Sequence, residues 1–321
     1  MCNTSLSILG NSRLLTNITF SSYAKYMTHL WLIIFVNMPN NYKGVNYIMM
    51  NVNSEKCVGC GICVKDCFLK CIEIVDEKAK INSATCMKCG HCIAVCPKGA
   101  VSIDEYNMEE VKDYIEAEFK IESDTLLNFI KFRRTTRQFK DKDIEKEKLL
   151  KIVEAGRFTQ TGINAQNVSY IVVKDNIEQL KEIALENLKN KGEEILKNLN
   201  PQTVPFKRYA QMWIKMYNEY KENPKLNDKL FFNAPALILV VSDSQINGAL
   251  ASSNMELMTN AQGLGTFFSG FFAMAAQGNE KIRELLGLEG NKEIVTCMVI
   301  GYPNVKYVRT VPRKDASILW K

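Results

Sequence analysis

The residues best equipped for chemistry in this chain of 321 are its cysteines, and their spacing says more than their number. Eight of the eleven fall in two runs: Cys57, Cys60, Cys63 and Cys67, then Cys86, Cys89, Cys92 and Cys96. Each member of the second run follows its counterpart by twenty-nine residues. A C-x2-C-x2-C-x3-C run lets three thiolates reach three irons of one cubic cluster and leaves the fourth to serve another. The competing chemistry is a pair of structural zinc sites, but tetrahedral zinc favours separated pairs of ligands over four cysteines in one run. Such a duplicated pattern is also unlike a disulfide framework, which points to a reducing compartment, the cytoplasm. Cys71 stands outside both runs and reads as a small buried apolar residue.

These runs resemble those of two-cluster bacterial ferredoxins, over residues 52–105. The resemblance implies two [4Fe-4S] clusters, one on Cys57, Cys60, Cys63 and Cys96, the other on Cys86, Cys89, Cys92 and Cys67. The fourth cysteine of each run thus crosses to the other cluster. Gly61 and Gly90, each following a ligand, are expected to let backbone approach the sulfurs, where N–H groups tune potential. Ile62, Val64, Ile93 and Val95 are expected to keep water away. Phe68 stands where the family usually has proline, which the second run keeps as Pro97, so the turn after Cys67 is in question.

The composition describes an ordinary globular protein long enough for two domains: 46% apolar, 24% charged and a formal charge of +6. Lysines and arginines are scattered, many between Leu180 and Lys229, and read as solvated helix faces rather than a nucleic-acid or membrane surface. The apolar run Leu30–Val36 is too short to span a bilayer. Residues 1–50 read as an extension of the chain or as a mis-assigned start ahead of Met49 and Met50.

Beyond Ser102 the chain turns acidic and polar, a linker over 106–123. Asp124 is expected to cap a helix with Leu126, Leu127 and Ile130 on one face. It ends in Arg133-Arg134-Thr135-Thr136-Arg137, three arginines and two hydroxyls that can clamp a phosphate, although taken alone the run reads rather as an exposed basic helix end. The spacing predicts a helix over 147–156 with Leu149, Leu150, Ile152 and Val153 recurring at helical spacing. A polar loop through Asn164 and Gln166 leads to a buried strand over 169–174. A lysine-rich helical stretch follows, broken near Pro201 and Pro205. A strand over 236–242, a helix over 247–260 with Leu250, Leu257 and Met258 inward, a helix over 281–286 and a strand over 293–301 complete an α+β pattern. Between the last helices, residues 262–272 read as a flexible turn leading into an apolar segment. Gly263-x-Gly265 lacks the third glycine of a dinucleotide fingerprint.

From residue 126 to 320 these features resemble, in order, the nitroreductase family of flavoproteins: Arg133–Arg137 after a helix, the Thr161-Gly162-x-Asn164-x-Gln166 loop, Ala234-Pro235 before a strand, Gly263-Leu-Gly-Thr266 with Ser269-Gly270, and Ile300-Gly-Tyr-Pro303. The resemblance implies an FMN-binding α+β domain over 124–321 that forms a homodimer with the flavin at the subunit interface. It places Arg133, Arg134, Thr135 and Arg137 on the FMN phosphate, ribityl chain and ring, and Asn164 and Gln166 at the ring edge. Ser269 and Gly270 fall near the reactive nitrogen, and Arg313, with Arg309 the other candidate, on the phosphate. Asn167 and Val168 replace the family's usual Pro-Trp, which leaves the substrate pocket's shape open.

The chain's two histidines, His29 and His91, both precede this segment, so no histidine base operates there and no catalytic side chain is assigned. A cofactor must carry the chemistry. The expected function is an iron–sulfur flavoprotein oxidoreductase. Electrons would pass from a ferredoxin domain over 51–105 through FMN to an electron-poor small molecule such as a nitroaromatic or quinone. The donor would be a redox protein such as reduced ferredoxin, or NAD(P)H. The alternatives are an FMN-containing carrier or redox sensor without its own substrate, and a reductase of one specific metabolite whose pocket is shaped by residues 190–228.

Overall fold

The computed structural model describes residues 49–321. The apolar run at Leu30–Val36, His29 and all but the last two residues of the 1–50 extension lie outside the described residues. The chain forms two compact units, one running to Cys86 and resuming over His91–Asn107, the other comprising Met87–Gly90 and Met108–Lys321.

The first unit is built from two antiparallel ladders and two short helices: β1 (Met50–Val52), α1 (Ile62–Asp66), β2 (Ile72–Val75), β3 (Lys78–Ile81), α2 (His91–Ala94) and β4 (Val101–Ile103). β1 pairs with β4, and β2 with β3 across a two-residue turn in which Asp76 and Glu77 both take positive φ, the mirror-image turn that suits strand twist. The internal repeat is visible in the backbone. Lys70 N–H donates to Cys67 O, and Gly99 N–H to Cys96 O, so both cysteine runs end in the same tight turn. The turn after Cys67 therefore forms without the proline that Pro97 supplies in its counterpart. Gly61 and Gly90 are glycine for conformation (φ 72° and 77°) and not for space, since a Cβ on either would meet nothing within 4 Å.

In the second unit, β5 (Ser169–Val173), β6 (Ala236–Ser242), β7 (Gly265–Phe268) and β8 (Glu293–Gly301) form an antiparallel sheet in the order β5-β6-β8-β7. The helices are α3 (Glu116–Phe119), α4 (Ser123–Phe132), α5 (Lys146–Arg157), α6 (Ile177–Lys197), α7 (Lys207–Glu222), α8 (Gln245–Ala261), α9 (Gly270–Ala276) and α10 (Glu280–Leu286). Every residue of β6 is buried because helices cover both faces, and its side chains alternate between two cores. Leu237, Leu239 and Val241 join Leu180, Leu188, Trp213 and Met216 of α6 and α7. Ala236, Ile238 and Val240 join Leu149, Ile152 and Met255 of α5 and α8.

Four expectations need correction. Residues 169–173 form an edge strand, only half-buried, with Val172 exposed. Leu150 and Leu250 are exposed. In α8 the buried stripe runs instead through Gly248, Ala251, Ser252, Met255 and Thr259, and its small members let the helix lie close on β8: a Cβ on Gly248 would come within 2.7 Å of Val295. Asp124 lies in the first turn of α4 rather than capping it, and no residue of that helix is buried, Leu126, Leu127 and Ile130 included. The stretch from Gln262 to Phe272, expected as a flexible turn, holds β7 and the start of α9, because Gly265–Phe268 pairs with β8 along its length.

The segment after α4 is seated on the sheet by two glycines. Thr135 bridges Thr266 in parallel and Phe139 bridges Pro303 in antiparallel sense, with Thr136 N–H on Thr266 O and Lys140 N–H on Tyr302 O. A Cβ on Gly265 would fall 2.6 Å from the Thr136 hydroxyl, and one on Gly301 would fall 2.6 Å from the Phe139 ring. Gly301→Ala is therefore expected to lower stability by about 1–3 kcal/mol, the usual cost of overpacking, read as a shift in urea midpoint at unchanged slope; a midpoint equal to wild type would mean the contact is slack.

Tyr302 locks the same end of the sheet. Its hydroxyl donates to Glu145 Oε2 (2.5 Å) and accepts from Lys148 Nζ (2.7 Å). The Tyr302 hydroxyl foremost, helped by the backbone N–H of Glu145, holds that carboxyl down at about 2. A depressed carboxyl contributes stability above its unfolded value of about 4.3 and loses it as pH falls toward 2. Tyr302→Phe should flatten the loss of stability between about pH 4.5 and 2 in denaturation at stepped pH, and equal slopes would remove the assignment.

Candidate functional site

The first site is a pocket of thiols. Cys57, Cys60, Cys63 and Cys96 line one cavity together with Ala79 and Ala100. Two backbone donors point at its sulfurs: Ala79 N–H to Cys57 Sγ at 3.4 Å and Ala100 N–H to Cys96 Sγ at 3.3 Å. The bond from Ala79, followed by one from Gly59, lowers the Cys57 pKa, which favours the thiolate a metal needs. Lys78 adds a cation, its Nζ donating to Cys57 O at 2.6 Å. The donors come from β3 and from the residue before β4: the first reaches a thiol twenty-two residues away, the second one only four residues back. Ile62 lines this pocket but is itself exposed, so it shields one side only. Among the described residues no three of Cys, His, Asp and Glu converge as a single bound ion would require. The donor set, four sulfurs around one cavity with N–H groups on two of them, suits a multi-iron cluster.

Of the second run, Cys92 is buried, Cys86 half-buried and Cys89 exposed. Cys67, half-buried at the end of α1, has a neighbour absent from the ligand set: Cys71 Sγ lies 3.4 Å from its Sγ. Cys71 is half-buried and faces sulfur, so the apolar role expected for it does not describe it. Cys297 is the fully buried apolar thiol, its pKa raised by burial.

The second site, in the larger unit, is an open cleft of about 620 Å³, within the range of small-molecule sites. Arg137, Ser269 and Gly270, expected together, do line it. Its walls are Phe232, Phe267, Phe268 and Phe271, and Met212, Lys215, Met216 and Glu219 of α7 close one side. The Arg137 guanidinium rests over the Phe267 ring, 5.5 Å from the centroid. Ser269 is buried, donating its hydroxyl to Leu230 O (3.2 Å) and its N–H to Cys297 O (2.8 Å), which fixes the start of α9.

The other expected residues lie elsewhere. Arg133 is bound to Glu256 of α8 (2.7 Å), and its buried Nε has no partner among the described residues. Arg134 is half-buried; Thr135 is exposed, its carbonyl accepting from the Tyr307 hydroxyl at 3.1 Å. Asn164 and Gln166 occupy a loop with φ of 56° and 45°, anchored by Gln166 N–H on Thr161 Oγ1, and neither lines the cleft. Arg309 and Arg313 are exposed in the segment after β8 and do not line it either.

The residues that hold the cleft open escaped sequence reading. Asp228 and Lys181 form a buried pair at 2.8 Å, both almost inaccessible. The Asp228 carboxylate also accepts the N–H groups of Leu230, Phe231 and Asn233. This bends the loop so that Phe232 and Asn233 take positive φ and Phe232 packs edge-on against Phe267 at 5.4 Å. A lysine three residues after Glu178 looks like an ordinary surface pair, and nothing local marks it as buried. Asp228→Asn should cost about 3 kcal/mol, because it leaves Lys181 buried with only exposed Glu178 as counter-charge. Denaturation checks the cost; a loss under about 1 kcal/mol would mean the pair is dispensable, as an exposed one would be.

Comparison with known proteins bears on both sites. The model of the nitroreductase family matches residues 130–302, and that of a 4Fe-4S dicluster domain matches residues 56–100. Among solved structures, a nitroreductase with bound FMN from Bacteroides fragilis NCTC 9343 is 19% identical, with 60% of this chain and 98% of that one covered and a TM-score of 0.46. A nitroreductase with bound FMN from Desulfitobacterium hafniense DCB-2 is 23% identical, with 61% and 97% covered and a TM-score of 0.45. A BluB-like flavoprotein from Clostridium difficile 630 is 20% identical, with 60% and 96% covered and a TM-score of 0.46. No curated protein matches the chain.

Proposed function

From the premise that the chain belongs to the nitroreductase family, with a 4Fe-4S dicluster domain ahead of the family's own, we propose that it is an FMN-dependent oxidoreductase. In this reading electrons pass from two clusters to FMN and on to an electron-poor acceptor, a nitroaromatic or quinone. The observation that carries the reading is the presence, in one chain, of a four-thiol pocket and a cleft with an arginine on an aromatic wall.

Cys57, Cys60, Cys63 and Cys96 would hold one cluster, and Cys86, Cys89, Cys92 and Cys67 the other. The N–H groups of Ala79 and Ala100 would lighten the negative charge on two ligands, which raises a potential. FMN, when bound, supplies the change from one-electron to two-electron transfer. Arg137, Ser269 and Gly270 would face it in the cleft, and Arg133, Arg134 and Thr135 would border its phosphate and ribityl chain. Asn164, Gln166 and Arg313, which stand away from the cleft of their own chain, would serve the flavin of a second copy. The unburied apolar face of α4, with Leu126, Leu127 and Ile130, fits such a homodimer. The donor is a redox protein such as reduced ferredoxin, or NAD(P)H.

Anaerobically purified protein should carry about eight irons and one FMN per chain; zinc in place of iron would overturn the electron route. Cys60→Ser should abolish reduction of FMN by the donor while leaving FMN bound. Arg137→Ala should weaken FMN about ten- to a hundredfold, the loss of one charge-assisted bond, and spare the clusters. Fast reoxidation of the reduced protein by a nitro compound or quinone in stopped flow supports the enzyme. Exchange with a partner protein alone would favour a carrier or sensor instead.

A further inference from the structure

The internal repeat sets Cys71 in a telling position. Twenty-nine residues separate the two runs, and the same offset carries Phe68 onto Pro97, Lys70 onto Gly99 and Cys71 onto Ala100. The backbone obeys this correspondence. Lys70 and Gly99 have φ of 51° and 54°, and each donates its N–H to the carbonyl of the last cysteine of its run. Ala100 lines the pocket of Cys57, Cys60, Cys63 and Cys96, with its N–H on Cys96 Sγ. Where Cys96, the second run's crossing ligand, has the methyl group of Ala100 beside it, Cys67, the first run's crossing ligand, therefore has a thiol. The Cys67 and Cys71 sulfurs are 3.4 Å apart.

We propose that Cys71 is a reserve ligand for the cluster of Cys67, Cys86, Cys89 and Cys92, able to take over the iron of Cys67. The inference rests on the cluster assignment above. Cys71 is the better anchored of the two: its carbonyl accepts Asn82 N–H at 2.8 Å, and the next residue, Ile72, pairs with Ile81. Cys67 caps a helix of five residues and is followed by exposed Phe68. In the exchange the iron–sulfur bond to Cys67 breaks as that to Cys71 forms. The Cys71 thiol proton passes to the departing Cys67 thiolate across the short sulfur–sulfur contact, and no electron changes hands. The exchange lets the cluster outlast chemical loss of Cys67, such as alkylation or oxidation.

The test is metal content and the electron paramagnetic resonance of dithionite-reduced protein, prepared anaerobically, for wild type, Cys71→Ala, Cys67→Ala and the double variant. Wild type and Cys71→Ala should hold about eight irons. Cys67→Ala should hold about the same number, with the signal of one cluster shifted. The double variant should fall to about four. If Cys67→Ala falls to the double variant's content, or stops at the about seven irons of a cluster missing its fourth, the proposal is wrong. Where Cys67→Ala does not accumulate, Cys67→Ser and Cys67→Ser/Cys71→Ser are read in the same way. Wild type without about eight irons would instead sink the two-cluster reading.

Discussion

The close approach of one extended segment to the end of a sheet organises the larger unit. Residues 133–139 carry the arginines, and they reach their place only because β7 and β8 present glycine where they arrive. Gly265 leaves room for Thr136, and Gly301 for Phe139, at distances no Cβ could share. Backbone hydrogen bonds on either side then fix the register, so Arg137 emerges over Phe267, itself a residue of β7. A side chain at either glycine would push away the strand that aims the arginine. Glycine-bearing motifs distant in sequence from the arginines are thus two halves of one joint.

The thiol pocket is built by a different device. Its four thiols come from turns and short helices, and residues in or next to the ladders contribute N–H donors to two of them. Such a site gains order from what it binds, since metal–thiolate bonds can supply folding free energy that a small core does not. The larger unit is the opposite case. Its two cores flank a fully buried strand, and its cleft is held by a buried ion pair and a capped loop whatever occupies it.

This difference governs how much could be read from sequence. Cysteine ligands are covalent chemistry written locally, and their spacing named the cluster module before any fold was known. The strand over 236–242 and the break between α6 and α7 were equally legible, because continuous apolar runs and prolines act locally. What escaped depended on neighbours far along the chain. Leu250 fits an inward helical stripe on paper, but small residues let the opposite stripe approach β8, and close packing outweighed hydrophobicity. Gly265–Phe268 looks like a turn until β8 offers it partners. Lys181 reads as surface charge until Asp228, forty-seven residues on, meets it in the core.

The arginines show how structure divides residues that sequence treats alike. Arg133 is spent on Glu256, an ion pair that ties the start of the segment to α8. Among the described residues Arg137 has no carboxylate partner and lies on an aromatic ring, where its charge is stabilised without being neutralised. The one acid lining the cleft, Glu219, is occupied by Lys229 and, at 3.6 Å, by Lys215; the Lys229 bond, first among several causes, lowers its pKa. The acid is therefore matched by lysines, and the cation beside the aromatic wall is left for an incoming group. A planar group with its negative charge at one edge would pack on the ring walls and meet the unmatched charge together, which is the physical reason we propose Arg137, ahead of Arg133, as the cleft's recognition residue.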